Sequence, residues 1–568
     1  MKINLRWQVL LAVVAFALVI ALLSFQVQSA SFCSTRVPSA GGAFVEGIVG
    51  APQSLNPLLS DPYPVDRELT SLIFDGLTRY DASGVLVPAL AESWTVSEDG
   101  LSVQFTLRDD AFWQDGEPVT AVDVLFTFGL LQDEAFPGPP ALSQFWHTIT
   151  INQIDERTVQ FVLPEPYSPF LDATTRGLLP AHLLDGVTGA ELPDAAFNLA
   201  PVGTGPFMVD PSLNWQANGR LRLLPNPADW REGVQLSALE FQFFPDEATL
   251  LDAFQNGDIH AINRVSAAVL PQIAALPEAR LFTAPEPTYS ALWFNLRPPA
   301  DETFNELGRT LSGRQALAAA LNREALVDTA LNGQGLVFNG PYLPSSWAYN
   351  PAISTNKAYD PATAASLLDT AGWVFGPEQT VRQKDGRPLT LTLITLNEPQ
   401  PTAVANAIQA QWAAVGIDTQ IRLAQDTTEL RQWLADGLFD VALLKFTPNG
   451  DPDLYDFWSQ EAIIRGQNYT GWNNRRASEA LEQGRQVWGM EERRPSYDTF
   501  LRNFDQDMPA LTLFQDTYTY ALNTAVNNAE IGLINQPRDR YKTFAQWFLL
   551  YRDVVVACPS DGSGVEGD

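Results

Sequence analysis

Residues 389–446 constrain the fold more than any other stretch. LTLTLITL (389–396) is a β-rich run, and TAVANAIQAQWAAVG (402–416) reads as a helix closed by Gly416. IDTQIRL (417–423) is a second strand, TTELRQWLADG (427–437) a helix ending at Gly437, and LFDVALLKF (438–446) a third strand. Strand–helix–strand–helix–strand with such short connections requires a parallel sheet with right-handed crossovers. Ligands of such sheets bind in the crevice beyond the carboxyl ends of the strands. The third strand runs into FTPNGDPDLYDFW (446–458), which makes that stretch the first place to look for a site.

Elsewhere the patterns are mixed. LSVQFTLRDD (101–110) and RTVQFVLPEP (157–166) alternate as half-buried antiparallel strands. Thr120 and Asp123 form a capping box for the helix that follows them. Asp246 caps a helix stopped at Asn256-Gly257, and another runs from Asn322 to Asn332-Gly333. The chain is an α/β protein with at least one mixed lobe, and 568 residues exceed one ordinary core, so two or more lobes are expected.

Lys2 and Arg6 precede an uninterrupted apolar run from Val9 to Phe25, which fits a secretory signal or a short membrane anchor, with a small-residue cleavage site at Ala30. The positive flank places everything after Phe25 outside the cytoplasm, at the periplasm or the outer face of the cell membrane. A net charge of −31 repels phosphate backbones, so no nucleic-acid partner is expected. Cys33 and Cys558 bracket the folded region. A disulfide joining the two ends, two free thiols, and lipidation of Cys33 are the three readings, in that order.

Several blocks, taken together and in order, resemble the extracytoplasmic solute-binding proteins of peptide-type ABC importers, family 5 (dipeptide, oligopeptide and nickel class). They are SLNPLLSD (54–61), the long run 73–128, PVGTGPFMV (201–209), NPADWREGV with LLDAFQNGDIHAI, RQALAAALNREALVDTAL (314–331), and GDPDLYDFWSQ with NYTGWNN (468–474). The resemblance implies a two-lobed, hinged, type II-like clamp with an additional mixed α/β domain. On that plan residues 1–30 are signal or anchor and 31–43 a linker. Residues 44–75, 201–291 and 513–557 form lobe I, with 76–200 inserted in it. Residues 292–512 form lobe II, and 558–568 an acidic tail. The resemblance further implies a monomer without cofactor that closes on a small ligand and delivers it to separate ABC permease subunits.

Within 446–458 a metal loop is disfavoured, because the aspartates lack calcium-loop spacing, and the three histidines are widely separated. No motif marks a catalytic carboxylate pair, so neither catalytic nor metal residues are assigned. Asp451 followed by Pro452 reads as a helix N-cap and first turn, with Asp453 complementing the dipole. Phe446, Pro448 and Asn449 would then line the cleft. In peptide-binding members of the resembling family an aspartate at the position of Pro448 holds the ligand's ammonium group, and proline offers neither that charge nor an N–H. Aromatic candidates for ligand contact are Trp293, Trp347, Trp472, Tyr289 and Tyr469. A peptide is the expected ligand, an oligosaccharide or other organic solute the alternative, and an exported hydrolase a second alternative.

Overall fold

The computed structural model describes residues 7, 10, 12–21, 32–39, 41–81, 84–231, 236–298, 305–355, 357–448, 450–531, 534, 537–541 and 543–557. Eleven of the described strands belong to one sheet. From one edge its order is Asp418–Ala424, Thr390–Leu396, Val441–Phe446, Ala279–Phe294, Ala510–Asn523, Ala261–Ile262, Ala43–Val49, Ala238–Phe244, Arg220–Pro225 and Phe207–Val209, with Gly335–Leu336 paired to Ala510–Asn523. The three strands read from residues 389–446 are parallel, as their connections require. Their helices are Pro399–Ala413 and Thr427–Asp436. The second is capped by Asp426 and stopped by Gly437 in the left-handed conformation, where a side chain would be strained.

The two long central strands, Ala279–Phe294 and Ala510–Asn523, run antiparallel through both halves of the sheet. Their pairing slips in the middle. Pro285 pairs with Thr517 and Tyr289 with Gln515, so Glu286, Pro287 and Thr288 stand opposite the single Asp516. A bulge of this kind bends the strand and interrupts the ladder. Buried apolar side chains divide at the same place. One set draws on residues 44–284 and 518–547, the other on residues 289–514. Two cores joined through a bulged strand pair make the two-lobed clamp.

A four-stranded antiparallel sheet, Ala91–Val96, Ser102–Leu107, Thr158–Val162 and Thr150–Gln153, stands apart from the large one. The helix Ala121–Leu131 packs on it, and the Thr120 amide donates to Asp123 at 2.8 Å, as the capping box requires.

The expected linker is corrected in part. Phe32–Ser39 is a strand, paired antiparallel with Leu550–Ala557 along its whole length. Its polar composition suggests a spacer, but Thr35, Arg36 and Val37 stand opposite Val554, Asp553 and Arg552, and the ladder to that partner strand supplies what the segment lacks alone. The first and last strands described are therefore neighbours, with the backbone of Cys33 opposite Val556. Cys558 and the tail after it lie outside the described residues, as does much of 1–30. Residues 12–21 are helical, and among the described residues no helix is long and apolar enough to cross a membrane.

Candidate functional site

A cavity of about 250 Å³ lies between the segment around the small sheet and the half built on residues 289–514. On its first side the strand Thr78–Tyr80 meets the short helix Phe170–Ala173. The Thr78 and Thr174 hydroxyls are 2.8 Å apart, and the Thr78 amide donates to the Thr174 carbonyl. Gly76 permits this approach, since a Cβ there would lie 2.5 Å from the Thr175 backbone. The join brings the Tyr80 hydroxyl onto the Asp172 carboxylate, to which it donates.

On the second side are Pro341, Tyr342 and Trp347, with Pro448, Gly450 and Pro452. Arg494 fixes the Trp347 loop by donating to the Trp347 carbonyl at 2.7 Å. The backbone of Gly450 passes directly under Tyr80. A Cβ at that position would come within 2.0 Å of the ring.

Asp451 and Asp453 do not cap a helix, contrary to the sequence expectation. The helix is only Tyr455–Trp458, and Leu454 before it provides no side-chain cap. Asp451 instead accepts both guanidinium donors of Arg493, at 2.6 and 2.7 Å. Asp453 accepts from Arg485 at 3.1 Å. The amides of Asp453 and Tyr455 donate back to Asp451 and Asp453, turning the chain before a helix can begin. A buried guanidinium offers a full charge and two aligned donors, which outweighs the partial charge of a helix end.

The two sides also meet outside the cavity. The Arg485 guanidinium lies between the Tyr167 ring (5.1 Å) and the Tyr455 ring (4.2 Å), and the Ser168 amide donates to the Arg485 carbonyl at 2.8 Å. Trp488 donates its indole N–H to the Gly100 carbonyl. These contacts hold the halves together around the cavity.

Electrostatically the cavity is dominated by one group. Burial pushes the Asp172 carboxyl up to about 6. The Tyr80 hydrogen bond opposes that rise, the Asp451 carboxylate adds to it, and Arg176 and the Gly450 amide oppose it. Arg176 is itself paired with Asp61 at 2.8 Å.

A second cavity, about 240 Å³, lies wholly in the half built on residues 289–514. Trp293, Leu396, Val404, Phe446, Phe457 and Tyr469 contribute its apolar lining, and Gln400, Arg431 and Lys445 its polar part. It sits where the strands Thr390–Leu396 and Val441–Phe446 end and the helices Pro399–Ala413 and Thr427–Asp436 begin, the crevice that the parallel sheet predicts.

The residues singled out in the sequence thus part company. Pro448 and Trp347 line the cavity between the halves, and Phe446, Trp293 and Tyr469 line the second one. Tyr289 and Trp472 line neither. Tyr289 is 3% exposed and donates to the Pro341 carbonyl at 3.0 Å. Trp472 packs among Trp458, Phe500 and Phe504 and donates to Asp507 at 2.9 Å. Asn449 lies outside the described residues. Sequence reasoning missed Tyr80, Asp172 and Tyr342. YSPFLDATTRG around Asp172 carries no motif, and only the fold brings it opposite Gly450. Among the described residues no group of three His, Cys, Asp or Glu side chains is placed to hold a metal ion.

The chain is similar to known proteins over most of its length. It is 26% identical over 524 residues to the oligopeptide-binding protein AppA of Bacillus subtilis, covering 90% of this chain and 93% of that protein. It is 27% identical over 398 residues to the nickel-binding periplasmic protein of Escherichia coli, covering 68% and 72%. Among solved structures, that of Bacillus subtilis AppA in complex with a nonapeptide superposes with a TM-score of 0.68 at 24% identity, over 90% of this chain and all of that one. Residues 85–462, more than half of the chain, match the bacterial extracellular solute-binding proteins, family 5, and the chain belongs to that family.

Proposed function

We propose that this chain is the extracytoplasmic receptor of an ABC importer, closing on a small organic solute, in the first instance a short peptide, and handing it to membrane permease subunits. The observation that carries the reading is the cavity between the two halves, bordered by Tyr80 and Asp172 on one side and by Trp347, Pro448 and Gly450 on the other. A site with walls on both halves couples occupancy to closure, since a ligand touching both favours the closed arrangement. Its volume, about 250 Å³, is at the small end of ligand sites and suits one or two amino-acid residues. Relatives named for peptide binding support the solute class.

On this reading lobe I comprises residues 44–75, 201–291 and 513–557, with 76–200 inserted, and lobe II comprises 292–512. The division of the buried clusters supports it. Residues 1–30 serve as export signal or anchor. Pro448 and Trp347 touch the ligand, and the pocket of Phe446, Trp293 and Tyr469 receives any apolar extension of it. The protein changes no bond of its cargo.

The test is small-angle scattering with thermal-shift measurements on the exported chain, against di- to pentapeptides and cello-oligosaccharides. Compaction and a raised Tm with peptides are expected. Stabilisation by sugars alone would replace the peptide reading with the oligosaccharide one, and release of a chemically altered solute would overturn the receptor reading.

A further inference from the structure

We propose that Asp172 is the group by which the cavity between the lobes recognises a positively charged nitrogen on its ligand, an amine first of all. The inference rests on the receptor reading and names the ligand chemistry for that same site.

Among the described side chains that line the cavity, Asp172 alone is charged. No ion pair is found for it among the described residues. The nearby cations are committed elsewhere, Arg176 to Asp61 at 2.8 Å and Arg493 to both oxygens of Asp451. Asp172 receives the Tyr80 hydroxyl, and the Gly450 amide acts on it from the other lobe, but an ionised carboxylate has about four acceptor positions. It therefore keeps acceptor capacity for a donor arriving in the cavity.

The rest of the lining favours a cation and resists an anion. Pro287, Pro341, Pro448 and Pro452 have no N–H to offer a carboxylate or phosphate, and among the described residues no lysine, arginine or histidine lines the wall. Tyr342 and Trp347 present aromatic rings, which attract cations. The Asp451 carboxylate, close enough to raise the Asp172 pKa, adds negative potential from behind Gly450. A partly buried carboxylate without an ion-pair partner among the described residues is costly, and a ligand cation that pairs with it relieves that cost on closure. Asp172 lies on the lobe opposite Pro448, so the charge contact also fastens one lobe to a ligand held against the other.

The groups facing Asp172 are the Tyr80 hydroxyl, the Gly450 amide, the Asp451 carboxylate with Arg493 behind it, and Arg176. A proton competes with the ligand's cation for Asp172, so affinity falls as the pH drops through about 6.

The experiment is calorimetric titration of the exported chain with three probes, alanyl-phenylalanine, its N-acetyl form and 1,5-diaminopentane, between pH 5 and 8. Wild type is compared with Asp172→Asn and Tyr80→Phe. The free-amine probes are expected to bind at pH 7.5. Acetylation and Asp172→Asn should each weaken binding about 30-fold or more, as truncating a buried charge pair does. In wild type the affinity should fall about tenfold per pH unit below 6, and in Asp172→Asn it should be flat. Tyr80→Phe, which removes a donor from the carboxylate, should bind at pH 8 but move the midpoint of the profile upward. Amine binding that is indifferent to Asp172→Asn or to acetylation, or an unshifted midpoint in Tyr80→Phe, overturns the assignment of Asp172 and leaves the receptor reading standing. A chain that scattering shows closing on none of these probes and on none of the peptides or sugars above overturns both.

Discussion

Arg493 holds Asp451 from 42 residues away, donating to both carboxylate oxygens at 2.6 and 2.7 Å, and through it fixes the turn that forms one wall of the cavity. Arg493 also donates to the Gly484 carbonyl and the Tyr497 hydroxyl, so four of its five N–H donors are engaged by these partners. Its side chain is 5% exposed and that of Asp451 13%. Asp451→Asn would leave a buried guanidinium without its counter-ion, at a cost of about 3 kcal/mol or more. Urea unfolding followed at the tryptophans should show the loss. A change below 1 kcal/mol would mean that the pair is dispensable and the turn is held by its backbone bonds.

Trp472 is expected to matter for stability rather than for ligand. Its ring contacts three aromatic neighbours, its N–H is satisfied by Asp507, and it is 4% exposed. Trp472→Ala should cost about 3–5 kcal/mol, as large-to-small changes at buried aromatics do, while solute affinity at a temperature where the variant is folded stays within a few-fold of wild type. A variant that unfolds normally but no longer binds would return Trp472 to the ligand site.

The local devices were legible in the sequence because they are written in neighbouring residues. The caps at Asp246 and Asn322, the Thr120–Asp123 box, the stop at Gly437 and the parallel order of residues 389–446 are all present. Asp451 misled because Asp-Pro is a good helix start in isolation, whereas Arg493, invisible at that range, is the stronger partner. Trp472 and Trp347 read alike in sequence, each an aromatic in a polar loop. The difference, a core of Phe500 and Phe504 under one and a cavity beside the other, is tertiary. Asp172 had no local signature because its place in the cavity wall comes from the Gly450 backbone opposite it, which belongs to the other half.

Stability should rise as the pH falls from 7.5 to 5.5. Burial pushes the Asp172 carboxyl up to about 6 and that of Asp440 up to about 7, both inside this window, and they outnumber His260, whose imidazole burial holds below its usual range and which acts in the opposite sense. For an acid whose folded pKa exceeds the unfolded one, the folded state binds the extra proton, so stability is lost as the pH rises from the unfolded value through the folded one. Carboxyls lowered by hydrogen bonds, such as Asp110, Asp210 and Asp246, act in the opposite sense but only near and below their ordinary range, outside this window. Reducing a net charge of −31 acts in the same direction as the buried acids. A Tm about 2–4 °C higher at pH 5.5 than at 7.5 is expected by calorimetry at constant ionic strength. A lower Tm at pH 5.5 would show that these acids are ionised and paired in the folded protein.

Closure should depend on position 450 having no side chain. A Cβ at Gly450 would approach the Tyr80 ring within 2.0 Å, and Tyr80 cannot swing aside freely because its hydroxyl is held by Asp172. Gly450→Ala therefore obstructs the meeting of the lobes without touching either core. Each lobe keeps its packing, so the Tm of the protein without solute should stay within about a degree of wild type, as for changes away from a core. Solute affinity should fall about tenfold or more, and scattering should show the compact form disfavoured even with saturating solute. Removing the obstacle from the other side tests the cause. Tyr80→Ala in the Gly450→Ala background should restore compaction, because the ring atoms nearest that Cβ are then gone. If the double variant stays as open as the single one, the clash is not what holds the lobes apart, and the glycine is required by the turn that Asp451 and Arg493 fix.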